Sequence, residues 1–147
     1  MGYILRLQSR AFPPVTLLVD TSVWSLALRR DQDVNAPQVY ALREALEGAD
    51  VVVTTGLILQ ELLQGFIGAR GGKEIIERFT ALPTLSPDRQ DHIDAALLRN
   101  ACRRAGVQLG TIDALLAQLC IRHRLILLTT DNDFVYAAQH CPLRLWQ

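Results

Sequence analysis

Two aspartates lie where the ends of buried strands are expected. Asp20 ends the apolar run Leu17–Asp20, and Asp131 follows a second apolar run, Leu125–Thr129. Short runs of this kind are typical of strands in a parallel sheet, and such sheets bind ligands at the carboxyl ends of their strands. Each aspartate would also serve as an ordinary helix N-cap, so neither residue alone specifies a site.

Glu61 lies on a predicted helix and has no obvious partner there. It shares a helical stripe with Leu57, Ile58 and Gly65, which predicts that its carboxylate is partly buried. No Lys or Arg lies one turn away on that helix. Because burying an unpaired charge costs on the order of several kcal/mol, Glu61 is expected to need a cation, a proton, water or a structural hydrogen bond.

Asp113 lies in the first turn of another predicted helix, over residues 111–123. It flanks the apolar face of that helix, which is predicted to comprise Ile112, Leu115, Leu116, Leu119 and Cys120. A negative charge near a helix N-terminus is favourable by itself, so a purely structural role explains Asp113 equally well.

These four acidic residues are so far apart in sequence that only a folded sheet would gather them. Gathered carboxylates repel one another, and a divalent cation that prefers oxygen ligands, such as Mg²⁺ or Mn²⁺, neutralises them. A site of this kind activates water and stabilises charge on a phosphodiester during in-line attack. The pattern therefore indicates metal-dependent phosphoryl chemistry.

The alternation of apolar runs with helical periodicity predicts an α/β fold. Strands are predicted at 17–20, 51–54 and 125–129, with weaker ones at 83–85 and 143–146. Helices are predicted at 22–29, 36–47, 56–68, 72–81, 87–105 and 111–123, and a short one is predicted to start at Asp131 or Asn132. Asn35 and Thr111 are the predicted N-caps, and Gly48 and Gly106 are the predicted helix stops.

Composition and charge narrow the class of protein. The 147 residues fit one domain, and half of them are hydrophobic. Fifteen basic residues balance fifteen acidic ones, so the chain lacks the overall basic charge of many nucleic-acid binders. Fourteen of the basic residues are Arg, which grips phosphate in a bidentate manner, so local patches remain candidates for RNA contact. They are Arg29 with Arg30, Arg70 with Lys73, Arg99 with Arg103 and Arg104, and Arg122 with Arg124.

Cysteine usage and hydropathy predict a cytoplasmic protein without a membrane partner. Cys102, Cys120 and Cys141 are odd in number, widely spaced and free of any CxxC pair, which favours reduced structural thiols over disulfides or a zinc site. No apolar run is long enough to span a bilayer. Residues 1–14 contain neither a continuous apolar segment nor a small-residue cleavage site, so no signal peptide is predicted.

Four short segments together resemble the acidic motifs of PIN-domain proteins, in the family's order and with similar spacing. They are Val19–Trp24, Gln60–Leu62, Thr111–Ala117 and Leu128–Phe134. The first, third and fourth are specific in combination, and the glutamate segment is the least specific. The resemblance runs from about Leu17 to the C-terminus. It implies a three-layer α/β/α sandwich with a central, mainly parallel sheet.

The resemblance also implies a function. It indicates a VapC-type toxin ribonuclease of a bacterial VapBC pair, which cuts RNA with Mg²⁺ or Mn²⁺ as a homodimer. A VapB antitoxin would silence it, with the antitoxin's C-terminal tail covering the site. By motif position, the metal-ligating or water-activating residues are Asp20, Glu61, Asp113 and Asp131; Asp133 is a possible accessory, and Thr21, Ser22 and Thr129 are expected to support the ligands.

Residues 1–14 depart from the family pattern, in which the first strand begins almost at the start. We therefore expect an N-terminal extension of unknown role at 1–14 and a PIN-like nuclease domain at 15–147.

Two other functions compete with this interpretation. A phosphotransfer domain of the receiver or haloacid-dehalogenase type also clusters aspartates at sheet ends. A dehalogenase site needs a second Asp where this chain has Ser22, and a receiver needs a late Lys, whereas the only lysine is Lys73. A PIN-like scaffold that binds a protein without cleaving RNA is the second alternative. His92, His123 and His140 share no spacing with the motifs and are expected to be surface or core residues.

Overall fold

The computed structural model of the chain describes residues 13–29, 35–66 and 69–147. Most of the predicted extension at 1–14 lies outside the described residues, as does Arg30 of one predicted basic patch. Within the described ranges, no helix is both long enough and apolar enough to cross a membrane.

The described residues form five strands and seven helices. The strands are β1 (Thr16–Val19), β2 (Val51–Thr55), β3 (Thr84–Leu85), β4 (Ile126–Leu128) and β5 (Arg144–Leu145). The helices are α1 (Thr21–Leu28), α2 (Pro37–Glu47), α3 (Gly56–Gly65), α4 (Ala69–Thr80), α5 (Arg89–Arg104), α6 (Thr111–His123) and α7 (Asn132–Ala137). The predicted α/β fold is confirmed, with element boundaries that differ by a few residues at most.

The strands form one sheet in the order β3-β2-β1-β4-β5. Every pairing is parallel, so the sheet is more uniform than the mainly parallel one that was expected. β1 is central, and its Leu18 lies opposite Val53 of β2 and Leu127 of β4. The chain moves outward from β1 to β3, then returns across the sheet to β4. The order of the strands therefore reverses between β1 and β4.

This reversal produces the layers and positions a site. Right-handed crossovers place α1 to α4 on one face and the helices after β3 on the other. At such a switch point the loops that leave two neighbouring strands diverge, and a crevice opens at their carboxyl ends. The residues that directly follow β1 and β4 stand there, and they include Asp20 and Asp131.

Apolar side chains on both sides of the sheet hold the layers together. Leu17, Leu18 and Val19 of β1 are buried, as expected for a strand covered on both faces. On one face, the ring of Trp24 from α1 packs against that of Phe79 from α4, with centroids 4.9 Å apart. This packing makes the carboxyl end of β1 a rigid support for whatever follows it.

Two predicted N-caps are wrong by one residue. Ala36, not Asn35, occupies the N-cap of α2, and the Asn35 side chain accepts a hydrogen bond from the Tyr40 hydroxyl instead (3.0 Å). Gly110, not Thr111, precedes α6. Gly48 does end α2. α5 ends at Arg104 with Ala105 as its C-cap, and Gly106 follows with a φ of 84°, in the left-handed region that glycine tolerates best.

An ion pair fixes α5 against α6. Asp91 is almost fully buried, accepts the backbone N–H of Asp88 and receives the Arg122 guanidinium at 2.6 Å. Asp88 in turn caps α5 by accepting the N–H of Asp91, so the two form a reciprocal capping box. Arg122, one of the predicted RNA-contact candidates, is therefore engaged in holding two helices together.

Candidate functional site

Asp20 is held by hydroxyl groups rather than by the helix that it precedes. It stands at the N-cap position of α1, but its side chain makes no capping hydrogen bond. Instead, its Oδ2 accepts hydrogen bonds from Ser22 Oγ (2.8 Å) and Thr129 Oγ1 (2.9 Å). Among the described residues, no donor reaches Oδ1. The carboxylate is thus oriented through one oxygen, while the other is available to a ligand.

The same hydroxyls join the ends of β1 and β4. Ser22 Oγ and Thr129 Oγ1 are 3.4 Å apart, and Ser22 Oγ accepts the backbone N–H of Thr130 (3.1 Å). Thr129 Oγ1 accepts the backbone N–H of Asp131 (3.0 Å). Asp20 and Asp131 are therefore linked through Thr129, and the separation of these two carboxylates is set by the sheet.

Asp131 combines a capping role with a place at the site. Its Oδ1 accepts the backbone N–H of Asp133 (2.9 Å) at the start of α7, so the N-cap explanation considered from sequence holds for this residue. Asp131 is half-buried, whereas Asp133 is exposed in the first turn of α7.

Glu61 and Asp20 interact electrostatically across the crevice. Glu61 is half-buried on α3, and burial followed by the nearby charge of Asp20 raises the pKa of its carboxyl. The Thr21 hydroxyl lies close enough to Glu61 to oppose this rise in pKa. That hydroxyl oxygen is buried and makes no hydrogen bond among the described residues. A buried hydroxyl without a partner normally implies a missing water or ion beside it.

Asp113 shows that the acidic residues share one neighbourhood. Burial raises its pKa from 3.8 to about 6, and the charges of Asp20, Asp131, Glu61 and Asp133 add to the rise in that order. Its Oδ2 lies over Gly110, where an added Cβ would be 3.8 Å away. The residues singled out from four separate motifs therefore act on one another in the folded chain.

The carboxylates of this neighbourhood are too far apart to bind one ion together without moving. Within residues 13–29, 35–66 and 69–147, no three His, Cys, Asp or Glu side chains converge closely enough to hold one ion. They are electrostatically coupled and face the same crevice, but a cation would have to draw them together. We call Asp20, Glu61, Asp113, Asp131 and Asp133 the acidic cluster.

The cysteines and histidines lie apart from this chemistry. Cys102 and Cys120 are buried and Cys141 is half-buried, and none forms a disulfide. Burial is the main cause that raises the pKa of all three thiols, so they are weak nucleophiles and metal ligands. His92, His123 and His140 are all exposed.

Sequence reasoning missed one feature beside the acidic cluster. Ile112 was assigned to the buried face of α6, yet it is 40% exposed. It lines a groove of about 430 Å³ between α3, α5 and α6, together with Leu57, Arg99 and other residues. Helical periodicity placed Ile112 beside the core but gave no sign that an open groove lies over it.

The sequence matches a known family and a named relative. The sequence model of the PIN domain matches residues 17–139. Ribonuclease VapC11 of Mycobacterium tuberculosis is 33% identical over 122 residues, which cover 80% of this chain and 88% of that protein.

Solved structures share the fold at low sequence identity. The VapBC2 structure from Rickettsia felis, bound to a DNA fragment from its promoter, has a TM-score of 0.71 at 18% identity and covers 90% of this chain and 100% of its own. VapBC-1 of nontypeable Haemophilus influenzae has a TM-score of 0.69 at 15% identity, covering 90% and 98%. At these identities the likeness concerns the fold alone. The family match and the fold together show that the chain belongs to the PIN-domain family.

Proposed function

We propose that this chain is the toxin of a type II toxin–antitoxin pair and hydrolyses RNA phosphodiester bonds with a divalent cation. One relative is named a ribonuclease, and the structural neighbours are toxins solved with their antitoxins. The observation that carries the proposal is the gathering of four carboxylates at the switch point of the sheet, where burial first and the neighbouring charges second raise the pKa of Asp113 to about 6. We assign the activity to residues 15–147, place the protein in the cytoplasm and assign no role to residues 1–14.

The residues of the acidic cluster fit Mg²⁺ or Mn²⁺ by their donor chemistry. Every candidate ligand is a carboxylate oxygen, and the adjacent unpartnered hydroxyl of Thr21 is an oxygen as well. We assign the ion to Asp20, Glu61, Asp113 and Asp131, with Asp133 as an accessory. When bound, such an ion activates water and stabilises the charge that develops on the phosphodiester.

The chain's own residues contribute orientation and charge. Ser22 and Thr129 hold the Asp20 carboxylate in one orientation through Oδ2, so its Oδ1 is already positioned to bind a cation. Because Thr129 also holds the backbone of Asp131, one hydroxyl sets the relative positions of two carboxylates. The excess of negative charge keeps RNA phosphates away until a cation is present, which makes substrate binding at this point dependent on the cation.

A chelator experiment tests the proposed activity. The purified chain, free of any antitoxin, should cleave RNA in the presence of Mg²⁺ or Mn²⁺, lose cleavage on adding a chelator and recover it when the metal is restored in excess. RNA cleavage that persists in chelator would contradict the metal-dependent site. Complete absence of cleavage with either metal would instead favour a PIN-like scaffold that only binds a protein.

We also propose that two copies of the chain associate. The family resemblance implies a homodimer, and the amphipathic segments 74–82 and 97–105 offer apolar surface for one. The structure leaves Ile93 and Leu97 of α5 exposed by 47% and 61%. These residues are four apart and form a short apolar stripe on the outer surface of α5. Self-association would bury this stripe.

Leu97→Glu is expected to convert the dimer to a monomer, because it places a charge within the apolar stripe. Light scattering of the metal-loaded protein at micromolar concentration measures the mass. Leu46→Glu, at an exposed leucine of α2, is the matched control and should leave the mass unchanged. A wild-type mass equal to one chain at every concentration would refute the dimer.

A further inference from the structure

The groove beside the acidic cluster has apolar walls and one cationic residue. Its volume is about 430 Å³, within the range typical of small-ligand sites. Leu57 of α3 and Ile112 and Leu115 of α6 form part of the walls, and Ala96 of α5 leaves room between them. Small side chains on α5 therefore create a cleft wide enough for a flat ring.

The groove and the acidic cluster are built from the same two helices. Leu57 precedes Glu61 by one turn of α3, and Ile112 directly precedes Asp113 in α6. Each helix thus gives one acidic residue to the cluster and at least one apolar residue to the groove. A chain molecule with its reacting bond at the cluster would reach the groove with its neighbouring unit.

Among the described residues that line the groove, Arg99 is the one arginine or lysine. It is half-buried, and its Nε donates to the carbonyl oxygen of Leu109 at 2.9 Å, which anchors the guanidinium to the loop before α6. Its two terminal nitrogens have no hydrogen bond or ion pair among the described residues. An anchored guanidinium with free donors is suited to grip a phosphate.

We propose that the groove binds the nucleoside next to the scissile bond of a single-stranded RNA, with the adjoining phosphate on Arg99. This inference rests on the proposed ribonuclease function and adds the place where substrate is recognised. An unstacked base would lie between Leu57 and Ile112, and the polar side chains of Asn100 and His92, also in the groove lining, supply groups for its edge.

Charge favours RNA over the other two occupants of such a groove. A basic peptide attracted to the acidic cluster would meet the like charge of Arg99, whereas a phosphate meets the opposite one. A second copy of the chain would have to leave the terminal nitrogens of Arg99 solvated or pair them with an acidic residue. RNA satisfies both the apolar walls and the cation with the two parts of one nucleotide.

The test compares Arg99→Gln and Ala96→Trp with Arg103→Gln, an exposed arginine one turn further along α5. The probes are fluorescent single-stranded RNAs of mixed sequence about ten nucleotides long, chosen so that wild type cleaves them.

We expect Arg99→Gln to raise KM about tenfold with little change in kcat. In Asp113→Asn protein, which is expected to cleave too slowly to disturb a binding measurement, Arg99→Gln should also reduce the salt dependence of RNA affinity by about one phosphate contact, a slope near 0.7 for single strands. Arg103→Gln should change neither value.

Ala96→Trp fills the groove without removing the guanidinium of Arg99. Replacing the nucleotide on one side of the scissile bond by an abasic unit should weaken wild-type binding about tenfold and have no further effect on Ala96→Trp, because the two changes remove the same contact. A merely structural role of Arg99, through its bond to Leu109, would lower the melting temperature but leave the salt slope unchanged.

Three outcomes would overturn the inference while leaving the ribonuclease intact. In the first, Arg99→Gln cleaves RNA with the KM and the salt slope of wild type. In the second, the abasic substrate weakens binding equally in wild type and in Ala96→Trp. In the third, Ala96→Trp changes the protein from dimer to monomer without any change in RNA affinity. The last of these would assign the groove to a second copy of the chain. If wild type itself cleaves no RNA with metal, the proposed function fails first, so the two failures are distinguishable.

Discussion

Asp113→Asn is expected to lower kcat/KM for RNA cleavage by about a thousandfold, within the range typical of losing a group that acts at the reacting centre. The substitution preserves shape and removes the charge of a carboxylate that interacts with Asp20, Asp131, Glu61 and Asp133. We assign Asp113 to the metal, so its loss should both weaken cation binding and slow the reaction that remains.

The control for this substitution is Asp94→Asn. Asp94 is also a half-buried helical aspartate, but it lies on α5 and accepts a hydrogen bond from Gln90 (3.0 Å) outside the acidic cluster. It should retain wild-type cleavage. Initial rates on the same RNA, with metal varied from micromolar to millimolar, separate weaker cation binding from slower chemistry. If Asp113→Asn cleaves as fast as wild type at every metal concentration, the four-carboxylate site is wrong.

The order of strands and helices could be predicted well from the sequence, because apolar runs and motif order are strong local signals. Apolar runs such as Leu17–Asp20 and Leu125–Thr129 allow only buried strands, and the order of four motifs placed their acidic residues at one edge of a parallel sheet. Strand and helix patterns alone could not decide what holds Asp20, and only the family resemblance indicated Ser22 and Thr129 as supporting groups. Local sequence favoured a helix cap, but Thr129, 109 residues away, provides the hydrogen bond that turns the carboxylate toward the crevice.

Other features depend on packing that no local pattern records. The exposure of Ile112 depends on which side chains of α5 face it, among them the small Ala96, and helical periodicity within α6 carries no information on them. Arg99 and Arg122 were equivalent as basic residues in the sequence. In the fold, Asp91 neutralises Arg122, whereas Arg99 is bound only through Nε and keeps its other donors.

The electrostatic cost of the acidic cluster should be visible as a pH-dependent stability. Burial and neighbouring charges raise the pKa of Asp113 from 3.8 in the unfolded chain to about 6 in the fold, and they raise that of Glu61 as well. The folded protein therefore holds these protons more tightly than the unfolded chain does. The resulting stabilisation is complete below pH 3.8 and is lost as pH rises through about 6.

The expected size follows from the shift in the pKa of Asp113. At 1.36 kcal/mol per pH unit the change would reach about 3 kcal/mol, and because Asp113 is only half-buried, solvent screening reduces it to about 1–2 kcal/mol. A divalent cation reverses the trend above pH 6, since it binds the folded, ionised cluster and not the open chain. Metal-free protein should therefore be less stable at pH 7 than at pH 5, and metal should restore the difference.

Asp113→Asn removes one of the repelling charges, so the metal-free variant should be more stable than wild type at pH 7 by about 1 kcal/mol and equal to it near pH 4. The same variant should gain less stability from Mg²⁺ or Mn²⁺, because it has lost a ligand. Thermal and denaturant melts at pH 4, 5, 6 and 7, with chelator and with saturating metal, measure all of these differences, and Asp94→Asn should follow the wild-type curve throughout.

A wild type whose stability shows no response to saturating metal at pH 7 would mean that the acidic cluster does not bind a cation in the folded chain. Destabilisation of metal-free protein by Asp113→Asn at pH 7 would mean that Asp113 is held by a favourable contact rather than strained by its neighbours.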